Sequence, residues 1–281
     1  MTLADAPHRN TEIDPVLVEV KPVDVASLRG GPLTIAPDTT VALPVFNEAS
    51  TIRSTLNAII PFSDAHPQFE FVFVDDGSHD GTPGAISDLI SSRQDLRRPK
   101  RISLLECKVN GGKGRAISTA LELTRSDYFC FLDGDLAYSL DHLLKLRAAL
   151  QTSQVVIGSR ALIAGEDLEV RFTRRVLGRG FNRIARSLLG LPFRDTQAGL
   201  KGFRTADARA IFSRLHLTGF AFDAEALYIA HHLGMSIAEI PAHVSEHHRA
   251  KQSNVNLITE PPKMLAQLAG IRLRGIQGKY N

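Results

Sequence analysis

The chain has 281 residues, a hydrophobic fraction of 43% and a formal charge of +3, which suits one large α/β domain with a packed core. So small a charge argues against wholesale nucleic-acid binding, although a local basic cluster can still meet phosphate. No apolar run approaches the roughly 18 residues of a membrane span, and the N-terminus MTLADAPHRN carries an acid and lacks the apolar stretch of a secretory signal, so a cytoplasmic protein, soluble or peripheral at a membrane, is expected.

Residues 1–36 carry prolines and scattered charges without a sustained period and read as an N-terminal arm. From Val41 the pattern becomes regular. VALPVF, FEFVFVD, RISLLEC, YFCFLD and QVVIGS are short apolar runs rich in strand formers, each closed by polar or turn residues. Helical spacing fills the intervals at 48–60, 82–93, 112–125 and 139–151. This alternation predicts βαβ units, hence a mostly parallel central sheet flanked by helices in a single α/β domain over 37–255. Cys107 and Cys130 fall inside apolar runs and are expected to be small hydrophobes.

After Gly158 the alternation weakens. A basic segment leads to a helix near 174–189, then GLKGFR, a helix starting near Phe222 and a strand near Ile237–Val244, which together read as a continuation of the same domain. The tail 256–281 mixes Met264, Leu265, Leu268, Ile271 and Leu273 with Lys263, Arg272, Arg274 and Lys279. Such a helix can pack on the body of the protein or lie on an anionic membrane, and packing is the expectation.

In parallel sheets ligands bind beyond the carboxyl ends of the strands. Those ends carry Asn47 and Glu48, Asp75 and Asp76, and Asp133 and Asp135. Two acids two apart on extended chain can face one divalent cation, which takes oxygen ligands and shares the rest of its sphere with water and phosphates. An isolated Asp-Gly-Asp is equally good turn chemistry. VDDGSHDGT adds small residues that let a ligand approach the backbone, and Asp76 can accept hydrogen bonds from a base or ribose.

PVFNE, VDDGSHDGT, NGGKGRA and FLDGDL, in this order and spacing, resemble the family 2 glycosyltransferases of GT-A fold. Downstream, IGSRA, RDTQAGLKGF and AFDAEALYIAHHLGMSIAEIP are similar to the polyprenyl-phosphate sugar synthases, the dolichyl-phosphate β-glucosyltransferase branch above all. The resemblance covers roughly residues 40–250. It implies a nucleotide-sugar donor, UDP-sugar preferred, and Mg²⁺ or Mn²⁺ as cofactor. It implies that Pro44, Asn47 and Glu48 line the nucleotide pocket, with Asp76 at the base, Asp75 beside it and Lys113 near the phosphates or base. Asp133 and Gly134 would lie at the ribose and metal, and Asp135 would be the main metal ligand. Where the mannosyl-phosphate members often carry a further polar ligand, this chain has Ala137, so another group must complete the sphere.

The implied reaction is a single inverting displacement. An ionised phosphate acceptor needs no general base, whereas a hydroxyl acceptor does. Asp223 occupies the family's base position by spacing, and Asp195 is a second candidate; each also reads as a helix-start or turn acid. Arg160, Arg175 and Gln197 are the residues expected at an acceptor phosphate, since arginine forks match phosphate geometry. In EHHRAKQSN, His247 could complete the metal sphere, while Arg249 and Lys251 could meet the diphosphate.

The acceptor is expected to be a polyprenyl phosphate, with a soluble small molecule or nucleoside as the alternative. A sugar nucleotidyltransferase would need a Gly-rich basic loop after the first strand, where this chain has PVFNEAST. NGGKGRA does not satisfy the phosphate-binding P-loop pattern, because Gly114 follows Lys113. A catalytically dead binding protein would carry a degraded Asp-Gly-Asp, and both acids are present.

Overall fold

The computed structural model describes residues 19–20, 36–92, 101–163, 172–244 and 260–281. Within them, β2 (Thr39–Val45), β3 (Phe69–Asp75), β4 (Ile102–Glu106) and β5 (Tyr128–Leu132) alternate with α1 (Ile52–Ala65), α2 (Thr82–Ser92), α3 (Lys113–Leu123) and α4 (Asp141–Leu150). These are the apolar runs and helical intervals of the sequence, with ends moved by a few residues. They are followed by β6 (Val155–Ser159), α5 (Phe172–Leu189), β7 (Leu200–Arg204), α6 (Thr205–Phe212), α7 (Phe222–His232), β8 (Ile237–Pro241) and α8 (Glu260–Ile276). A short strand β1 (Glu19–Val20) pairs antiparallel with β4, so part of the N-terminal arm joins the sheet edge.

The described strands form one sheet in the order β1-β4-β3-β2-β5-β7-β6-β8. Strands β4, β3, β2 and β5 run parallel, and β6 runs parallel to β8. One strand departs from the expected pattern. β7 inserts antiparallel between β5 and β6, which are consecutive in sequence. The short string GLKGF supplies it, and its glycine Gly202 lets α4 approach closely, since a Cβ there would lie 2.0 Å from Leu146 Cδ2.

Alternation along each strand divides the core into two layers. Val41, Leu43 and Val45 of β2, with Phe69, Phe71 and Phe73 of β3, pack against Ile52, Leu56 and Ile59 of α1 and Leu143 and Leu146 of α4. Ala42, Val74, Phe129, Phe131 and Phe203 face the other way, against α3, α6, α7 and Leu268 and Ile271 of α8. The C-terminal helix therefore packs on the body, as its apolar stripe predicts. Buried Glu225 of α7 fixes it there by accepting hydrogen bonds from Arg274 Nη2 at 3.1 Å and Tyr280 OH at 2.6 Å. Cys107 and Cys130 are buried free thiols. Among the described residues no helix is long and apolar enough to cross a membrane.

Candidate active site

From β2 the chain winds outward through β3 to β4 and then returns to place β5 on the other side of β2, so the sheet has its switch point between β2 and β5. In open α/β sheets the ligand crevice lies there, beyond the carboxyl ends of the strands. Its floor is made by two interlocked loops. Asn47, held at φ +54°, donates its amide to Ser78 Oγ at 2.8 Å and accepts the His79 amide on Oδ1 at 2.9 Å. The amides of Glu48 and Ala49 donate to Thr82 Oγ1 and Asp80 Oδ2 at 2.9 and 3.0 Å. PVFNE and VDDGSHDGT are thus one structural unit, and Asp80 also caps the start of α2 through the Thr82 amide.

The two adjacent acids of that unit have different fates. Asp76 Oδ1 and Oδ2 accept the Gly111 and Gly112 amides, each at 2.8 Å. Burial raises the Asp76 pKa above the usual carboxylate value, with the two amides opposing it. This acid ties NGGKG to the β3 loop, with one amide on each oxygen. Asp75 accepts the Ser78 amide on Oδ2 at 2.9 Å, while its buried Oδ1 has no hydrogen-bond partner among the described residues. A buried acceptor left open at a crevice is a place for a ligand donor.

The Asp133–Gly134–Asp135 turn follows β5 and lies across the end of β2. A Cβ at Gly134 would meet Val45 Cγ1 at 2.6 Å and the Pro44 carbonyl at 2.8 Å, so only glycine permits this approach. Thr55 Oγ1 of α1 donates to the Gly134 carbonyl at 2.9 Å and fixes the turn. Asp135 Oδ1 accepts the Ala137 amide at 3.2 Å. Asp133 is walled on one side by Gly199, where a Cβ would lie 1.8 Å from Oδ2.

Asp133 Oδ1 is 2.9 Å from Lys113 Nζ. The same ammonium lies 3.4 Å from Asp223 Oδ2, and Asp223 Oδ1 accepts from Lys201 Nζ at 2.7 Å. Lys201 is fully buried and also donates to the Ala198 carbonyl at 2.6 Å. Four charges therefore alternate across the crevice wall. Burial opposes the charge of Lys113, but Asp133 and Asp223 hold the ammonium above the usual lysine range. For Lys201 burial wins, and its pKa falls below the usual value although Asp223 resists. Asp223 reaches Lys113 because α3 is docked on the segment before α7: the Gly114 amide donates to the Thr218 carbonyl at 2.7 Å.

Asp195 is paired with Arg160, whose Nε and Nη2 donate to its two oxygens at 2.7 and 3.0 Å. Burial raises the Asp195 carboxyl, but the guanidinium more than offsets it and the pKa lies below the usual carboxylate value. Arg160 keeps 48% of its side chain exposed. Gln197 donates its backbone amide to Asp195 Oδ1 at 3.3 Å, and its buried Nε2 has no partner among the described residues. Arg160, Asp195 and Gln197 thus form one group. Arg175 lies in α5, where its side chain is outside the described residues, as are His247, Arg249 and Lys251.

Among the described residues no three His, Cys, Asp or Glu side chains gather as a ready metal cage. Asp133 and Asp135 supply two hard oxygen donors on one turn, a donor set that fits Mg²⁺ or Mn²⁺ completed by water and phosphate oxygens. The sequence reading did not single out Gly199, Lys201 or Phe46. A lysine inside the otherwise apolar and small run AGLKGF was the available signal for the first two. Phe46 lies between Val45 and Asn47, just past the end of β2, and is 41% exposed.

The model of Glycosyl transferase family 2 matches residues 40–212, and the chain belongs to that family. It is 30% identical over 251 residues to a dolichyl-phosphate beta-glucosyltransferase of Dictyostelium discoideum, covering 85% of this chain and 75% of that one. It is also 30% identical over 257 residues to the Saccharomyces cerevisiae enzyme of the same name, with 85% and 75% covered. Glucosyl-3-phosphoglycerate synthase of Mycobacterium tuberculosis, solved with Mn²⁺, uridine-diphosphate and glucosyl-3-phosphoglycerate, superposes with a TM-score of 0.59 at 20% identity, covering 86% of this chain and 80% of that one. Mannosyl-3-phosphoglycerate synthase of Rubrobacter xylanophilus gives a TM-score of 0.59 at 17% identity, with 86% and 75% covered. The fold is GT-A, and the protein is a glycosyltransferase.

Proposed function

We propose that this family 2 glycosyltransferase transfers a sugar, with inversion, from a UDP-sugar to a polyprenyl phosphate, using Mg²⁺ or Mn²⁺ at the Asp133–Gly134–Asp135 turn. One observation carries the acceptor class. A general base must take a proton from an acceptor hydroxyl, and Asp223 is already committed to fully buried Lys201 at 2.7 Å. Asp195 is likewise taken up by Arg160. A phosphate acceptor arrives already ionised and needs neither. The names of the dolichyl-phosphate relatives support the same class.

In this reading Asp75 Oδ1 accepts the imide N–H of the base, and Phe46 stacks on the ring. Lys113 meets the diphosphate, with Arg249 and Lys251 as further phosphate ligands and His247 as a third metal ligand. Arg160 and Gln197, backed by Asp195, receive the acceptor phosphate, with Arg175 beside them. A bound divalent cation supplies charge stabilisation for the departing diphosphate. The acceptor oxygen forms the new bond to the anomeric carbon as the bond to the UDP oxygen breaks, and UDP leaves with the electron pair.

A soluble acceptor is the second reading, favoured by the lack of a membrane-spanning helix among the described residues. On this reading the enzyme works in the cytoplasm, peripheral at a membrane that carries the acceptor. Incubation of labelled UDP- and GDP-sugars with polyprenyl phosphate or with soluble phosphate and hydroxyl acceptors separates the readings. Label in the lipid phase from the UDP-sugar supports the proposal, and label confined to soluble product overturns the lipid acceptor.

A further inference from the structure

Lys113 occupies a position that a mere phosphate ligand would not need. Its ammonium is 2.9 Å from Asp133 Oδ1, and the other oxygen of that acid abuts the Gly199 backbone, where a Cβ would lie 1.8 Å away. Any divalent cation that takes Asp133 must therefore displace or repel an ammonium already seated there. The lysine also has a second seat: Asp223 Oδ2 at 3.4 Å, with the rings of Phe131 and Phe222 at 5.5 and 5.7 Å from Nζ. Lys201 makes that second seat shallow. Fully buried and pinned to Ala198 and Asp223, it already neutralises one oxygen of Asp223 and repels a second ammonium.

We propose that Lys113 is an internal cation that holds Asp133 until a nucleoside diphosphate draws it off, so that donor and metal bind in a coupled rather than an independent way. The inference rests on the metal and diphosphate reading of the crevice given above. With no ligand, Asp133 is the deeper seat, as the shorter distance indicates. A diphosphate offers the ammonium a more highly charged partner within reach of its flexible stem, and Asp133 is released toward the cation site. A cation arriving first meets a carboxylate whose charge is already compensated. Coupling of this kind is reciprocal: each ligand tightens the other by the same factor.

The test is Mn²⁺ binding to the full chain, measured by electron paramagnetic resonance or calorimetry, without nucleotide and with UDP. The wild-type protein should bind Mn²⁺ weakly alone and much more tightly with UDP. Lys113→Gln should bind Mn²⁺ alone about tenfold more tightly, with the enhancement by UDP reduced by about the same factor, as expected for removing one like charge at contact distance in a partly screened site. Lys113→Arg, which keeps the charge, should behave as wild type. Lys113→Met keeps the apolar stem against Phe131 and Phe222 and serves where the glutamine variant fails to fold. The inference is overturned if the neutral variants bind Mn²⁺ alone no better than wild type while UDP still tightens it in both. Absence of Mn²⁺ binding to wild type even with UDP overturns the metal reading itself.

Discussion

Lys201 and Asp223 form an ion pair at 2.7 Å, and the lysine has no solvent contact. Removing one partner leaves the other charge buried, which typically costs about 3 kcal/mol or more. Lys201→Met should lower unfolding stability by about that amount in a urea titration. Combining it with Asp223→Leu should recover most of the loss, because no lone charge then remains on this pair. An additive loss in the double variant would show that the pair is not the cause.

Gly199→Ala should separate folding from chemistry. Its methyl would have to occupy space 1.8 Å from Asp133 Oδ2, so the acid must move. A displacement near 1 Å at a reacting centre can cost about a hundredfold in rate. We expect kcat to fall by about that factor while the melting temperature changes little; unchanged turnover would mean that Asp133 does not need this position.

Asp75 and Asp76, neighbours in sequence, should respond differently to alanine. Asp76→Ala removes two charge-assisted bonds to Gly111 and Gly112, worth about 2 kcal/mol or more together, and should destabilise the protein and loosen the NGGKG turn. Asp75→Ala removes one bond to the Ser78 amide and an oxygen with no partner among the described residues, so stability should fall by about 1 kcal/mol. UDP affinity, read by calorimetry, should nevertheless drop about tenfold. Unchanged UDP affinity in Asp75→Ala would return the base to another residue.

Asp135→Ala is expected to abolish turnover with the circular dichroism spectrum retained, and chelation by EDTA should do the same to the wild type until Mg²⁺ or Mn²⁺ is restored. Full activity in either case would remove the cation from the reaction.

The sheet-forming half of the molecule was legible because each run ending at Asn47, Asp75, Glu106 and Asp133 combines strand formers with a turn residue, and because helical spacing is explicit between them. The acids at those ends were legible for the same reason. What each acid does was not. Asp75 and Asp76 are indistinguishable by position, and only the fold reveals that the glycines of NGGKG bind one of them. Asp223 reads as a free acid before a helix, since its partner Lys201 lies in a strand whose antiparallel insertion has no local signature. Helix α6 was missed because TADARAIF is short and its large apolar residues, Ile211 and Phe212, sit together at its end.

A pH effect follows from His142, which is buried between two backbone groups: Nδ1 lies 2.9 Å from the Ser139 carbonyl and Nε2 accepts the His243 amide at 3.0 Å. Nδ1 must then carry the proton and Nε2 must not. Burial, with Lys145 and His243 adding to it, lowers the pKa below the ordinary 6.5, although Ser139 and Asp141 oppose the shift. As pH falls through 6.5 the unfolded chain takes up the proton before the folded one, so stability declines, by at most about 1.4 kcal/mol per pH unit. Urea titrations of wild type and His142→Gln between neutral and mildly acid pH should show a lower starting stability but a flatter dependence in the variant. Parallel curves would assign the acid sensitivity elsewhere.

The insertion of β7 between β5 and β6 also governs how the protein is made. Asp133 emerges from the ribosome well before Gly199 and Lys201, the residues that wall and balance its surroundings. Until β7 arrives, β5 presents an unpaired apolar edge, Tyr-Phe-Cys-Phe-Leu, of the kind that templates aggregation. A nascent chain stalled or truncated before residue 200 should therefore demand chaperone protection, whereas one extended through Arg204 can cover that edge.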